Sequence, residues 1–290
     1  MSIRIDRWLA VRLAAPWERL KQENDSLLPV LMYHSISTDA EQGVGPYYRI
    51  VTSPARFRAQ IEILRQGNYR TCSTIESGLT LTGSSPPPAR PVLITFDDGY
   101  ADFYRNAYPA VSEQGFTATM YLPTAYIGDQ RHSFKGRECM TWSEVKELSA
   151  CVVEFGSHTV THPKLHQLPR ASILDELSRS KQEIEDQTGT LVNSFAYPYA
   201  FPQADAEFVQ RFRDMVAATG YRTCVTTAIG RASRRLDLLS IKRLPINEDD
   251  DAALFLAKLD GGYDWMAGLQ RTLKIAKRLT DRKRSDAISA

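Results

Sequence analysis

The 290-residue chain has no apolar run near the roughly eighteen residues that a membrane-spanning helix needs. It also lacks an apolar core for a secretion signal. Met1 to Leu20 is interrupted by Arg4, Asp6, Arg7 and Arg12, which points to the cytoplasm. Cysteine is scarce. Cys72, Cys139, Cys151 and Cys224 are scattered with no Cys-x-x-Cys pair, which speaks against a disulfide framework or a zinc ribbon. Net charge is nearly absent too. The 36 Lys and Arg against 34 Asp and Glu leave +2, which argues against a nucleic-acid partner. No repeat or long low-complexity segment is present. What remains is ordinary globular composition, 43% hydrophobic and 24% charged, enough for one α/β barrel.

Histidine is also sparse, with five in the whole chain, and two of them fall in a pattern. Pro91-Val92-Leu93-Ile94 has the length and β-branching of a buried strand and runs into Thr95-Phe96-Asp97-Asp98-Gly99. Adjacent aspartates repel, so a fold keeps them with a cation or a proton to share. A second strand-like run, Val152 to Phe155, leads into Gly156-Ser157-His158-Thr159-Val160-Thr161-His162. Each motif has an ordinary reading by itself. Asp-Asp-Gly serves as a turn with a helix cap, and His-x-x-x-His arises by chance. Together they form a one-carboxylate, two-imidazole donor set, the kind a catalytic divalent metal uses with positions left open.

Taken in order, residues 3–20 set Ile5, Trp8, Leu9, Leu13, Trp17 and Leu20 near helical spacing among arginines. Such a basic amphipathic helix either packs on its own domain or lies on a membrane surface. Residues 21–28 read as a connector. Leu28–His34 is the first strand, and 37–54 is loop. Ser53 caps a helix with Pro54 in its first turn, Phe57, Ile61 and Leu64 inward, and Gly67 closing it. Tyr69–Thr71 is a short strand, and Gly83 to Pro88 a stiff surface loop.

A helix over 101–114 follows the aspartates. Phe116–Leu122 alternates as a strand, then a loop runs to Met140. Thr141 and Glu144 form a capping box for 142–148. Helices at 171–188, 206–219 and 249–259 alternate with strands at 194–197, 221–227 and 241–246. This alternation predicts a parallel, barrel-like sheet with its ligand site at the C-terminal strand ends. The division is 1–27 helix and connector, 28–262 catalytic domain, and 263–290 basic tail. From Arg271 to Arg284 that tail is rich in Lys and Arg, reading as a solvated helix or a contact with acidic lipid.

Thr95–Gly99, Ser157–Pro163 and Ser194-Phe195-Ala196-Tyr197-Pro198-Tyr199 resemble the first three motifs of the polysaccharide deacetylases (carbohydrate esterase family 4, the NodB-homology domain). Met140-Thr141-Trp142 and Val30-Leu31-Met32-Tyr33-His34-Ser35 extend the likeness over about residues 28–260. The resemblance implies a distorted (β/α)7 barrel that removes acetyl groups from N-acetylhexosamines, in a polysaccharide, an oligosaccharide or a lipid-linked sugar. It implies Asp98, His158 and His162 as ligands of one divalent metal, with zinc first and nickel, cobalt and iron as alternatives. Asp97 is implied as the base, and the Tyr199 backbone N–H as a donor to the developing oxyanion. Tyr100 and Tyr199 are the aromatic residues expected to contact substrate. The competing readings are an O-acetyl or other amide or ester hydrolase, and a non-catalytic carbohydrate-binding relative.

Two departures from the pattern matter. The family's third motif usually holds an arginine that orients the base, and here Ala196 stands in that place. Its late strand usually supplies a histidine as general acid, and Leu239 to Ile246 has none. A similar pair of departures marks the poly-β-1,6-N-acetylglucosamine deacetylases, where an N-terminal strand histidine fills the acid position. That makes His34 the candidate acid, and Arg243 the candidate substitute for the arginine. His132 reads as exposed, and His166 as a loop-stabilising residue beyond the ligands. Without a signal peptide, the substrate expected is a biosynthetic intermediate at the inner membrane face.

Overall fold

The computed structural model describes residues 4–20, 27–74, 90–232 and 237–275. The expected Gly83–Pro88 loop, most of the 21–28 connector and the last part of the basic tail lie outside these.

Seven parallel strands close a ring. They run, in chain order and in neighbour order, Val30–Tyr33, Pro91–Phe96, Ala118–Leu122, Val153–Ser157, Ser194–Ala196, Thr223–Ile229 and Ile241–Pro245, and the last pairs with the first. The short Arg70–Thr71 strand pairs in parallel with the start of Pro91–Phe96. Strictly sequential order is what short, right-handed strand-helix-strand connections produce. Every residue of Ala118–Leu122 is buried, so the alternation expected there is absent. A barrel strand is covered on both faces, by the interior and by a helix.

The two faces carry separate cores. Val30, Leu93, Tyr121, Ala196, Val225 and Ile241 belong to the smaller interior cluster. Leu31, Tyr33, Ile94, Phe96, Phe195 and Leu244, on alternate positions, join the larger cluster beneath the helices. Side chains alternate with period two along a strand. The parity that turns Val30 and Leu93 inward therefore also turns His34 and Asp97 inward, and Ile241 carries Arg243 with it. Inside the ring Tyr121 crosses Gly156 so closely that a Cβ there would sit 2.5 Å from its ring. Glycine at 156 is thus a packing requirement, in the strand that ends at the histidines.

The local signals explain most helices. Ser53 Oγ accepts from the Arg56 N–H at 3.2 Å to start Pro54–Gln66. The helix ends differently from expectation, since Gly67 has φ −77 and Asn68 takes the left-handed position at φ 54. Thr141 and Glu144 form the capping box of Trp142–Ser149. The loop expected before Met140 contains a small antiparallel hairpin, Ser133–Phe134 with Arg137–Glu138. Its central Lys135 and Gly136 both have positive φ, as a two-residue type I′ turn requires.

The N-terminal segment is helical as expected, Ile5–Leu9 and Ala15–Leu20 flanking a π-helical stretch at Ala10–Ala14. It packs on its own domain, but not by its apolar stripe. Ala10 and Ala15 are the buried residues, and a Cβ on Gly262 would come 2.8 Å from the Ala10 carbonyl oxygen.

Candidate metal and catalytic centre

The C-terminal ends of neighbouring strands bring the sequence candidates together. Asp98, His158 and His162 are buried, and one donor atom from each lies within 4.8 Å of the others. His162 Nε2 is 3.3 Å and His158 Nε2 3.6 Å from Asp98 Oδ1. His158 Nδ1 lies 2.8 Å from the Ala196 carbonyl oxygen, which makes Nδ1 the protonated nitrogen and leaves Nε2 a lone pair. Burial, the largest cause, pushes the His158 pKa down to about 4, so the ring is neutral near pH 7. Burial pushes the Asp98 carboxyl up, but His162, His34 and Lys135 outweigh it and keep it ionised.

An imidazole lone pair therefore faces a carboxylate oxygen that is buried and has no hydrogen-bond partner among the described residues. Two acceptors facing each other away from water are costly unless a cation lies between them. These residues fit a divalent metal with nitrogen and oxygen donors.

Asp98 Oδ2 is occupied differently. It accepts the Tyr100 hydroxyl at 3.0 Å and lies 3.6 Å from Lys135 Nζ. Tyr100 is thus a correction to the sequence reading. At 1% exposed it holds the Asp98 carboxylate and has no surface to offer a substrate. Tyr121, Trp142 and Tyr197 are buried as well.

Asp97 lies beside this group with another partner. Both its oxygens accept from Arg243, Nη1 to Oδ1 and Nη2 to Oδ2, each at 2.7 Å. Arg243 is fully buried and also donates to the Thr226 carbonyl oxygen and to Thr95 Oγ1. Burial alone raises the Asp97 carboxyl, but Arg243 first and then His158 bring it below the usual carboxylate range. Arg243, the candidate substitute for the missing arginine, is thus the group bonded to Asp97. His34 Nε2 is 3.9 Å from Asp97 Oδ2, because Tyr33 and Phe96 are paired neighbours in the ring. Burial lowers the His34 pKa, and its side chain stays 19% exposed at the mouth.

Tyr199 is 43% exposed, with its ring edge-on to His162 at 4.5 Å. Its carbonyl accepts from Thr227 Oγ1, which in turn accepts from the Phe201 N–H. Nothing among the described residues accepts from the Tyr199 N–H. Strain concentrates here. Seven described non-glycine residues have left-handed backbone, and Asp98, Lys135, Thr159, His162 and Tyr199 are five of them. Such conformations persist where the surroundings enforce them, typically at functional sites.

Two contributors escaped the sequence reading. Glu176, on the helix Arg170–Thr188, accepts the Val160 and Thr161 N–H groups at 2.7 and 2.9 Å, shaping the turn between the histidines. Lys135 reaches the site from the hairpin tip, 5.1 Å from the Tyr199 ring centre and 4.5 Å from that of Phe134. The Lys-Gly pair at a turn was its only trace in sequence. His132 and His166 are exposed and outside the cluster.

Known proteins share this arrangement in part. Residues 84–223 match the family described as Polysaccharide deacetylase. YxkH of Bacillus subtilis (strain 168), classed by its name with the polysaccharide deacetylases, is 29% identical over 241 residues, covering 83% of this chain and 79% of that one. A poly-beta-1,6-N-acetyl-D-glucosamine N-deacetylase of Staphylococcus aureus (strain MSSA476) is 26% identical over 162 residues. That match covers 53% of this chain and 55% of the enzyme, about half of each. Among solved structures, the Streptococcus pyogenes deacetylase PplD in complex with acetate superposes with a TM-score of 0.69 at 26% identity, over 81% of this chain and 99% of that one.

Proposed function

This chain carries a polysaccharide deacetylase domain, and we propose that it is a metal-dependent hydrolase removing the acetyl group from the amide nitrogen of an N-acetylhexosamine in a glycan or a lipid-linked sugar. The observation that carries the reading is the juxtaposition of two differently held aspartates. Asp98 faces two imidazole nitrogens and Asp97 is forked by a buried arginine.

Asp98, His158 and His162 would hold the cation, with zinc the first candidate. When bound, it would acidify water and polarise the acetyl carbonyl. Asp97 is the proton acceptor. Arg243 fixes its orientation and keeps it ionised. The free Tyr199 N–H donates to the oxygen on which negative charge develops. His34, across Asp97 and partly open to the mouth, would take up the proton that Asp97 accepts and pass it to the departing amine. The imidazole replaces in space the acid that the late strand does not supply. The intact donor set favours an enzyme over a binding relative.

The test pairs metal content with release of free amine from N-acetylglucosamine oligomers. The expected outcome is close to one metal per chain, with release abolished by a chelator and restored by added zinc. His158→Ala should lose metal and release together. Stoichiometric metal in that variant would overturn the ligand assignment, and release that a chelator leaves untouched would overturn the metal-dependent reaction.

His34→Ala should lower kcat by about a hundredfold, the scale of a lost proton donor, while metal content stays unchanged. A normal kcat would move the acid role elsewhere.

A further inference from the structure

The N-terminal helix docks by its polar and small residues, with Val11 half-buried against the core, and leaves five large apolar ones outside. Arg4 donates to Asp6 and to the Tyr263 hydroxyl, and Arg7 pairs with Asp251 at 2.6 Å. Glu18 pairs with Arg231 at 3.3 Å, and Ala10 and Ala15 close on Gly262. Ile5, Trp8, Leu13, Trp17 and Leu20 are all exposed, from 54% at Leu13 to 79% at Leu20.

In a plain α-helix these five would spread over roughly 180° at 3.6 residues per turn. The π-helical stretch Ala10–Ala14 inserts one extra residue between Trp8 and Leu13. That insertion gathers them within roughly 80°. Asp6, Arg7, Ala10 and Ala15 fall on the opposite, docked side. The segment is thus an amphipathic helix whose apolar face looks away from its own domain, an arrangement that marks an interaction surface.

Charge selects the occupant. Arg12 is exposed beside the apolar face. In sequence, the stretch 271–284 holds seven basic residues and a single acidic one, Asp281. A second copy docking this helix antiparallel on itself would set the Arg12 side chains, midway along the face, against each other. The sequence of 276–290 offers only Leu279 and Ile288 as large aliphatic side chains, a poor match for five apolar ones. An acidic lipid surface satisfies both features, with tryptophans suited to the headgroup level and basic residues attracted at about 1 kcal/mol each. We infer that the π-aligned face of Ile5, Trp8, Leu13, Trp17 and Leu20 seats the protein peripherally on an anionic lipid surface.

The experiment is sedimentation of the full chain with phosphatidylcholine vesicles, with and without phosphatidylglycerol, beside light scattering of the protein alone. The expected result is binding to the anionic vesicles only, weakened by salt. Leu13→Glu and, separately, Trp8→Glu should cut it at least about tenfold, with unchanged melting temperature and metal content. Both positions are exposed, so neither variant tests folding. Three results would overturn the inference. The wild-type chain could stay in the supernatant with anionic vesicles, the variants could bind as well as wild type, or light scattering could show a dimer that Leu13→Glu dissociates. None of these outcomes bears on amine release, so this inference and the catalytic reading stand or fall separately.

Discussion

Asp97→Asn is expected to keep its metal and lose turnover by at least about a hundredfold, the usual scale for removing a positioned general base. Asparagine matches aspartate in shape and can still occupy the barrel interior. It cannot take a proton at neutral pH, and its amide nitrogen must face one arm of the Arg243 fork in place of a carboxylate oxygen. The metal should stay, because on the proposed reading Asp98, His158 and His162 would hold it with donor atoms that Asp97 does not supply. Metal analysis and single-turnover amine release on the same preparation check both halves. A variant within a few-fold of wild-type kcat would remove Asp97 from the base role. Loss of metal together with activity would make it a ligand.

Arg243→Leu is expected to be severe in a second way. Arg243 is fully buried and is the only cation bonded to Asp97 among the described residues. Taking it away leaves a buried carboxylate without its counter-charge, which costs about 3–5 kcal/mol where such pairs are broken by removing one partner. Activity should fall with it, since the base loses both its orientation and the charge that keeps it ionised. Denaturant unfolding measures the first effect. The decisive comparison is the double variant Asp97→Asn with Arg243→Leu. It should be more stable than the sum of the single losses predicts, because the second change removes the charge that the first one stranded. Strict additivity, or an Arg243→Leu protein as stable as wild type, would mean the pair is not coupled. Arg243→Lys should rescue part of the stability but little of the turnover, since an ammonium cannot form the two-pronged bond.

These two residues show where sequence reading stopped. Asp97 was legible because it stands beside Asp98 at the end of a strongly patterned strand, where local repulsion asks for an explanation. Arg243 was far less so. It lies 146 positions from Asp97, inside the strand Ile241-Lys242-Arg243-Leu244-Pro245, where two adjacent basic residues do not show which one turns inward. Its role depends on ring closure, which pairs Ile241–Pro245 with Val30–Tyr33 and that strand with Pro91–Phe96. His34 is similar. Its strand was readable, but its neighbour across the ring was not. Tyr100 failed in the opposite direction. Next to two aspartates it reads as a mouth residue, whereas its ring runs inward and its hydroxyl is consumed by Asp98. A period-two pattern does not say which residue after a strand end turns back into the core.

The N-terminal helix gives the same lesson at the level of packing. Sequence spacing identified the helix and its apolar residues, and the expectation that these pack on the domain follows from the hydrophobic effect. The docking face is instead set by Gly262, which admits only small residues, and by the partners of Arg4, Arg7 and Glu18.

By itself, then, the sequence determined the alternation of strand and helix, most of the helix caps and the three candidate ligand side chains, because each rests on residues close along the chain. Tertiary structure alone decided that Arg243 and His34 face Asp97, that Glu176 and Lys135 complete the centre, and which side of the first helix is left exposed. Closure of a barrel sets distances between residues far apart in sequence, and no local pattern records them.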